Sequence, residues 1–426
     1  MMCTLKSSSH PHRELSSHDS SSLLLSAGWV ALDASTSVRA DLGIAGGRIS
    51  QLIDRLGKGH GRENSGSKSG CTEISLEGCL VLPGLVNSHD HLEFNLFPRL
   101  GRGPYPNFEK WADDIFHPES SPLREHLSVP KPVRLWWGGL KNLLSGVTTV
   151  CHHNAYEEAV FGADFPVRVV KQYGWAHSLR FGKNVKEAFL STPPEAPFII
   201  HLAEGSDKQS GDEIFELDRL GALDSRTVIV HGVGMTDRGH ELRRQRGAAL
   251  VWCPTSNRFT LGATLGAAAL DGQDRISLGS DSALTAEGDL LDEIRAAHHE
   301  GVDPRQIYSM VTGRAADVLR LQNGEGKLQP GANADLLVVK QMDLSPADLL
   351  VSTRLDAIEM VMVSGKPHLV SARMALRCPP TLLDGLEEIH IEGTSCFVRA
   401  PVRQLLNEPH AHLGTNVRLA GKRVSA

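Results

Sequence analysis

The chain has 426 residues, of which 41% are hydrophobic and 22% charged, and these values are typical of a globular protein with one large domain and a satellite. The net charge of −6, without a dense Lys/Arg run, argues against nucleic-acid binding and against an anionic membrane, and no apolar stretch has the length of a membrane span. Seven cysteines form no C-x-x-C pair, so we expect reduced thiols and a cytoplasmic protein.

The two ends of the chain have the character of β structure. Residues 1–22 are rich in Ser and lack the apolar core of a signal peptide, so they are predicted to be a disordered tail. Residues 23–82 contain short apolar strands separated by glycines, with a flexible loop predicted over Gly57–Gly70. Residues 326–426 return to the same character, and we expect both segments to form one small β-sandwich plus a C-terminal extension.

Residues 83–325 have a different pattern, in which short apolar strands alternate with helical stretches. The strand candidates after the first are 146–150, 166–170, 198–202, 227–231, 248–253 and 276–281. Such alternation implies βα units and a parallel sheet. About eight units over roughly 240 residues fit a (β/α)₈ barrel. The predicted fold class is therefore α/β, a TIM-like barrel with a small β-sandwich formed by both chain ends.

The first barrel strand ends in V-L-P-G-L-V-N-S-H-D-H-L, which contains His89 and His91. Strand side chains alternate between faces, so both imidazoles point the same way. Two imidazoles fixed on one face are half of a divalent-metal site. Two other H-x-H pairs occur, near residues 10 and 410, but only this pair closes an apolar strand.

Polar side chains also follow three later strands. His201 closes F-I-I-H-L with Glu204 three residues on, His231 closes T-V-I-V-H, and Asp281 follows I-S-L-G-S. The carboxyl ends of barrel strands form the catalytic face. Three imidazoles and one carboxylate suit Zn²⁺ with a position left for water, whose pKa such an ion lowers towards ~7. Glu204 is then the candidate proton shuttle, His231 orients the water or polarises the substrate, and Asp281 accepts a proton.

Six segments together resemble the metal-dependent amidohydrolase superfamily: P-G-L-V-N-S-H-D-H-L, G-V-T-T-V, H-L-A-E, V-H-G, W-C-P-T-S-N and L-G-S-D-S. More narrowly, they are similar to its mononuclear deaminase-like branch, which includes cytosine, guanine and S-adenosylhomocysteine deaminases and chlorohydrolases. The resemblance runs from about Leu24 to Lys366. No strand-borne lysine stands out as the carbamylated bridge of the binuclear branches.

The resemblance implies one divalent ion, Zn²⁺ or alternatively Fe²⁺ or Mn²⁺. It implies these metal ligands: His89, His91, His201 and Asp281. It also implies that Glu204 and His231 are the acid/base pair. Only about fifty residues separate Val150 from His201, fewer than is usual in the family. Because substrate contacts often lie there, a relative's substrate cannot be transferred directly.

The candidate substrate contacts are the polar and aromatic residues that follow the predicted strands. They are Glu93, Asn95, His152, His153, Trp175, His177, Arg180, Trp252 and Asn257. Arg180 would suit a substrate carboxylate, but an arginine in contact with solvent is favoured. Phe108 and Trp111 would suit a lid over an aromatic ring, and ordinary packing is the alternative.

The predicted function is metal-dependent hydrolysis of a carbon–nitrogen bond other than a peptide bond, by deamination of a nitrogen heterocycle. Opening of a cyclic amide and removal of chloride from a triazine-like ring use the same machinery and remain alternatives. A catalytically inactive relative that acts as a scaffold is the alternative from another class. The expected partner is a small-molecule substrate, and a homodimer is expected from the frequency of two-fold assemblies.

Overall fold

The computed structural model describes residues 22–54, 71–182, 184–266, 270, 275–286 and 288–426. The predicted N-terminal tail, apart from Ser22, and all of the predicted loop Gly57–Gly70 lie outside the described residues. None of the helices in these ranges combines the length and apolar character that a bilayer crossing needs. All six cysteines in the described ranges are free thiols.

Five strands precede the barrel region: β1 (Ser22–Ala31), β2 (Ser37–Ala45), β3 (Arg48–Asp54), β4 (Cys71–Ser75) and β5 (Cys79–Pro83). Apolar side chains of β1 and β2 alternate with more exposed ones, because one face of these strands packs on a core. The chain bends between β4 and β5 at Gly78, whose φ of +74° is a conformation that glycine adopts without a steric penalty.

Eight parallel strands follow: β6 (Leu85–Asp90), β7 (Val147–His152), β8 (Arg168–Val169), β9 (Gly174–Ala176), β10 (Phe198–Leu202), β11 (Thr227–His231), β12 (Ala249–Trp252) and β13 (Ile276–Leu278). They form a three-stranded sheet in the order β6-β7-β8 and a five-stranded sheet in the order β13-β12-β11-β10-β9. Every residue of β6, β7, β10, β11, β12 and β13 is buried. Continuous apolar strands of this kind are typical of parallel sheets that are covered on both faces.

Helices separate and follow these strands: α1 (Phe108–Ile115), α2 (Leu123–Ser128), α3 (Lys131–Leu144), α4 (Val185–Ser191), α5 (Lys208–Arg219), α6 (Asp237–Arg246), α7 (Pro254–Leu261), α8 (Leu290–His299), α9 (Pro304–Met310), α10 (Gly313–Val318), α11 (Pro346–Ser352), α12 (Ala372–Ala375), α13 (Pro380–Leu383) and α14 (Val402–Leu413). Two short 3₁₀ turns lie at Leu92–Phe94 and Leu355–Ala357. Local sequence fixes several ends: Asp289 and Asp292 form a capping box on α8, and Gly247 ends α6 with φ +70°.

The remaining strands are β14 (Leu336–Lys340), β15 (Ile358–Val363), β16 (Lys366–Ser371), β17 (Glu387–Ile391), β18 (Thr394–Val398), β19 (Arg418–Leu419) and β20 (Lys422–Ser425). They join β1 to β5 in one twelve-stranded sheet. The two chain ends meet where β5 pairs with β14 in antiparallel register, with Val81 opposite Val338. The chain passes directly from this sheet into the parallel strands, because only Gly84 lies between β5 and β6.

Candidate metal centre and active site

Three imidazoles converge at the carboxyl ends of the parallel strands. His89 lies in β6, His91 follows it, and His201 lies in β10. The Nε2 atoms of His89 and His91 are each 3.3 Å from Nε2 of His201. Asp281, three residues after β13, has its Oδ1 atom 3.6 Å from Nε2 of His89 and 4.0 Å from Nε2 of His91. Four donor atoms from three strand ends thus face one point.

Hydrogen bonds fix the carboxylate of Asp281 in this position. Its Oδ2 atom accepts hydrogen bonds from Ser256 Oγ at 2.7 Å and Thr285 Oγ1 at 3.1 Å. Its Oδ1 atom accepts one from the backbone N–H of Ser282 at 2.7 Å and faces the imidazoles. Burial acts to raise the pKa of Asp281, but His89 and its neighbouring imidazoles outweigh it and hold that pKa well below its usual range. The carboxylate is therefore ionised.

The imidazoles are neutral. Burial lowers the pKa of His89, His91 and His201 below the ordinary value of 6.5, because the charged form loses its hydration. The Nδ1 atom of His201 lies 2.8 Å from the carbonyl oxygen of His177, to which it donates. This hydrogen bond places the proton on Nδ1 and leaves the Nε2 lone pair free toward the other imidazoles.

The donor set fits a divalent ion. Ligands about 2.1 Å from a tetrahedral ion are about 3.4 Å apart, close to the 3.3 Å that separates the imidazole Nε2 atoms. The chemistry also fits, since neutral imidazoles and an ionised carboxylate are the ligands that Zn²⁺ prefers. The Nε2 atoms of His89 and His91 face that of His201, and Oδ1 of Asp281 lies beside them, as the ligands of one ion would.

His153 lies in the same cluster. With His89, His91 and His201 it forms a set of buried residues whose potential ligand atoms lie within 4.8 Å of one another. Its ring centroid is 4.2 Å from that of His201, and its Nε2 atom donates to the carbonyl oxygen of Ala176 at 3.0 Å. The sequence predicted His153 as a substrate contact, whereas its ring packs against the imidazoles of the metal cluster.

Glu204 and His231 form a second pair beside this cluster. The Oε2 atom of Glu204 is 3.6 Å from Nε2 of His231, which lies 4.0 Å from Oδ2 of Asp281. The Nδ1 atom of His231 donates to Oδ1 of Asn257 at 2.8 Å, so its Nε2 lone pair faces the two carboxylates. Burial raises the pKa of Glu204 to about 7, which suits a group that takes up and releases a proton near neutral pH.

A buried ion pair lies beside the candidate metal ligands, and it was not predicted from the sequence. Lys141 in α3 contacts Oδ2 of Asp90 at 3.0 Å, and its ammonium also donates to the backbone oxygen of Asp281 at 2.9 Å and to Ser280 Oγ at 3.0 Å. Lys141 and Asp90 are 2% and 0% exposed. The only signal was an isolated Lys within the apolar run L-W-W-G-G-L-K-N-L-L, together with a conspicuous Asp between the two first histidines.

The other predicted contacts fall into two groups. Glu93 and His177 line the cavity above the cluster. Asn257, as described, holds His231. Glu93 accepts a hydrogen bond from Asn154, a lining residue that the sequence analysis had not named, at 2.7 Å.

The second group lies in the surroundings of the cavity. Asn95 donates to Asp90 at 2.8 Å, and buried His152 faces the carboxylate of Glu93 at 3.7 Å. The Trp252 indole donates to Thr264, and Arg180 pairs with Glu216 near the surface. The Trp175 ring lies edge-on to that of His153.

The cavity above the cluster has a volume of about 660 Å³. Its floor is formed by His91, His201, Glu204, His231 and Asp281, and Phe108 and Trp111 of α1, which were predicted to form a lid, line its outer part. A concave site with a polar floor and an apolar wall is typical of a small-molecule site.

Comparison with known proteins supports the resemblance on sequence and on structure. Residues 191–367 match the model of the amidohydrolase family. The 5-methylthioadenosine/S-adenosylhomocysteine deaminase of Teredinibacter turnerae is 27% identical over 381 residues, covering 70% of this chain and 82% of the relative. That of Thermococcus sibiricus is 24% identical over 418 residues, covering 81% and 93%.

Two solved structures have the same fold. An adenosine deaminase from Xanthomonas campestris with bound zinc has a TM-score of 0.62 at 18% identity, covering 82% of this chain and 93% of that chain. The atrazine chlorohydrolase of Arthrobacter aurescens TC1, complexed with zinc, has a TM-score of 0.61 at 17% identity, covering 81% and 94%. These likenesses establish a TIM-barrel-like α/β fold for this chain.

Proposed function

We propose that this chain, an amidohydrolase by the match over residues 191–367, is a metal-dependent hydrolase that deaminates a nitrogen heterocycle. The proposal rests on two groups of side chains that lie next to each other at the bottom of one cavity. One group provides the four converging donor atoms, and the other is the Glu204–His231 pair. Relatives named as deaminases support the reaction class.

In this proposal His89, His91, His201 and Asp281 hold one divalent ion, and Zn²⁺ is the ion that the donor set and the zinc-containing solved structures favour. When bound, the ion lowers the pKa of a coordinated water towards ~7 and so supplies a nucleophile at neutral pH. Asp281 has a dual role, because Oδ1 faces the ion site while Oδ2 faces His231.

The remaining steps belong to the protein side chains. His231 and Asp281 orient the attacking water, and the Asn257 hydrogen bond keeps the basic nitrogen of His231 directed at it. The water oxygen forms a bond to the amidine-like carbon of the ring. Glu204 takes one water proton and delivers it to the amino nitrogen, the bond from the carbon to that nitrogen breaks, and ammonia leaves. The second water proton passes to the adjacent ring nitrogen, so that the oxygen stays on the carbon as a carbonyl.

We also propose how the chain divides into domains. The eight strands β6 to β13 would close into one barrel, since Ser280 N donates to His89 O at 3.0 Å across the β13–β6 junction. The twelve-stranded sheet would fold as a β-sandwich from residues 23–82 and 326–426, beside a barrel of residues 83–325. For assembly we propose a homodimer, on the frequency of two-fold assemblies alone.

The test is ammonia release from purified protein loaded with Zn²⁺, Fe²⁺ or Mn²⁺, on a panel of aminopurines and their nucleosides, aminopyrimidines, cyclic amides and chlorotriazines. We expect ammonia from at least one heterocyclic amine. Chloride release or ring opening without ammonia would replace deamination with one of the alternatives. A protein that neither contains nor takes up any of these metals would support the scaffold alternative.

A matched variant separates catalysis from folding. Glu204→Gln should retain one equivalent of metal, because Glu204 is not among the proposed ligands. It should lose turnover by roughly 10²-fold or more, because the shuttle is gone. Near-normal turnover of this variant would remove Glu204 from its proposed role.

A further inference from the structure

One region of the cavity is not used by the proposed chemistry. Six aromatic side chains surround its outer part, and we call this region the aromatic chamber: Phe94, Phe97, Phe108, Trp111, Phe116 and Phe181. The chamber and the metal cluster share one cavity of about 660 Å³. At about 30 Å³ per molecule this is room for roughly 20 waters, more than a heterocycle alone would displace.

The first wall of the chamber begins at a predicted metal ligand. The ring of Phe94 lies 6.3 Å from that of His91, and the ring of Phe97 lies 5.5 Å from that of Phe94. Leu123 and Leu284 pack with Phe97 in a small hydrophobic cluster of their own. This wall is therefore a continuous apolar surface that leads outward from the metal cluster.

The second wall begins at another predicted ligand. The ring of His177 lies 4.7 Å from that of His201, and the ring of Phe108 lies 5.9 Å from that of His177. Phe181 continues this wall, 5.9 Å from both Phe108 and His177. A molecule that reacts at the metal cluster would thus have its outer part between two aromatic surfaces.

The chamber offers apolar surface at its rim. Phe116 is 66% exposed and Phe181 is 48% exposed, although both line the cavity. The one polar atom of the Trp111 side chain already donates to the carbonyl oxygen of Leu100 at 2.9 Å. Exposed apolar surface that borders a cavity marks a binding groove.

Outside the proposed ion site, the described part of the cavity lining offers no positive charge to a ligand. Its ionisable residues are histidines and the carboxylic acids Glu93, Asp113, Glu204 and Asp281, and none of the lining residues in the described ranges is Lys or Arg. Arg180, a candidate for a substrate carboxylate, instead pairs with Glu216. An anionic substituent in the aromatic chamber would therefore lose hydration without gaining a counter-charge.

Helix α1, which carries Phe108 of the second wall, is hydrogen-bonded through its N-terminal end to the segment that contains Glu204. The backbone N–H of Phe108, the first residue of α1, donates to the carbonyl oxygen of Glu204 at 3.0 Å. The N–H of Ser206 donates to the carbonyl oxygen of Pro106 at 2.8 Å. The chamber is therefore held at a fixed position relative to the proton shuttle.

We propose that the aromatic chamber is a substituent-binding site that selects heterocyclic amines with an uncharged, apolar arm and rejects those whose arm ends in a carboxylate. This inference rests on the proposed function and specifies its substrate class. It also separates this chain from a dual activity of the kind that the names of its relatives print, because the arm of one named compound ends in a methyl group and that of the other in an amino-acid group with a carboxylate.

The test compares 5′-butylthioadenosine with 5′-(3-carboxypropyl)thioadenosine, which share the purine, the ribose, the sulfur and the three methylene groups but end in a methyl group and a carboxylate. We expect kcat/KM to be at least about tenfold higher for the methyl-terminated compound. Equal or higher activity on the carboxylate-terminated compound would overturn the proposal. If another heterocycle of the panel is the one deaminated, its N-butyl and N-carboxypropyl derivatives are compared with the same criterion.

Binding keeps this inference distinct from the proposed function. If no compound releases ammonia, the proposed function fails, and calorimetric titration of the metal-loaded protein still tests the chamber. Tighter binding of the methyl-terminated than of the carboxylate-terminated compound supports the chamber, and the reverse order contradicts it.

A pair of exposed substitutions gives the matched control. Phe116→Arg places a cation at the rim, whereas Leu376→Arg adds the same charge at a residue that is 89% exposed beside α12. Phe116→Arg should shift the preference toward the carboxylate-terminated compound by at least about tenfold, while Leu376→Arg leaves the ratio unchanged. An unchanged ratio in Phe116→Arg would contradict the proposed role of the chamber.

Discussion

The substitution Lys141→Met should severely destabilise the protein, because it removes one partner of a buried ion pair. The ammonium of Lys141 is 3.0 Å from Oδ2 of Asp90, and the two residues are 2% and 0% exposed. Two unit charges at this separation interact by about 5 kcal/mol at an effective dielectric constant of ~20. Methionine fills a similar volume but leaves the Asp90 carboxylate buried without its counter-charge.

The expected loss is smaller than the full Coulomb energy and larger than that of a surface pair. Asp90 keeps its hydrogen bonds from Asn95 and Asn142, both 2.8 Å, which offset part of the lost attraction. The backbone oxygen of Asp281 loses a donor at 2.9 Å, which adds to the cost. We therefore expect the free energy of unfolding to fall by roughly 3–5 kcal/mol.

The assay is urea unfolding of the two single variants, Lys141→Met and Asp90→Asn, and of the double variant Asp90→Asn/Lys141→Met. Removing both charges leaves no unpaired ion, so the double variant should lose less stability than Lys141→Met alone. A loss below about 1 kcal/mol in Lys141→Met, or a double variant that loses the sum of both single effects, would refute this argument.

Three further predictions test the site and its support. Asn257→Ala should lower kcat by roughly 10–100-fold with little change in KM, since His231 loses the hydrogen bond that orients it, and Asn257→Asp, which keeps an acceptor, should lose less. His153→Ala should still purify with one equivalent of metal by elemental analysis, whereas stoichiometric loss would make His153 a ligand. Gly84→Ala should lower the free energy of unfolding by roughly 1–3 kcal/mol or more, because its methyl carbon would lie 2.3 Å from Oγ1 of Thr148, and an unchanged urea midpoint would show that the backbone yields there.

The strands with continuous apolar runs could be predicted from the sequence nearly residue by residue. The runs predicted at 198–202 and 227–231 match β10 (Phe198–Leu202) and β11 (Thr227–His231). Such runs are unambiguous because both faces of a parallel strand are buried. The run at 166–170 gives only the two-residue β8, since Pro166 has no N–H to donate to a neighbouring strand. The run at 276–281 ends at Leu278, and Asp281 beyond it has a φ of +52°, which is left-handed rather than extended backbone.

The positions of polar residues at strand ends predicted the candidate metal ligands but not the Lys141–Asp90 ion pair beside them. His89, His201 and Asp281 lie at the ends of strands that the sequence had predicted, so topology alone placed them near one another. The burial of Lys141 was not predicted, because Lys141 lies in a helix and helical periodicity does not distinguish a buried Lys from one at the surface. The aromatic chamber was predicted only in part. Phe108 and Trp111 were candidates for a lid over an aromatic ring, but the loops and short helices of residues 94–127 have no regular pattern that would place Phe97 and Phe116 beside them.

Backbone strain at the same strand ends links the fold to the chemistry. Ala203, His231 and Asp281 follow or end buried strands, and all three have positive φ values, of +54°, +74° and +52°. Each such non-glycine residue costs of order 1–3 kcal/mol, and it persists only where the surroundings determine it. Hydrogen bonds hold two of these residues in place. Ala203 N donates to the carboxylate of Glu213 at 2.7 Å, and Asp281 N donates to the carbonyl oxygen of His89 at 3.1 Å. The turn at Ala203 ends the extended backbone of β10 immediately before Glu204, and the one at Asp281 fixes that carboxylate opposite the imidazoles. The site therefore depends on conformations that the strands alone would not adopt, which is why Glu204 and Asp281 stand just beyond the ends of β10 and β13.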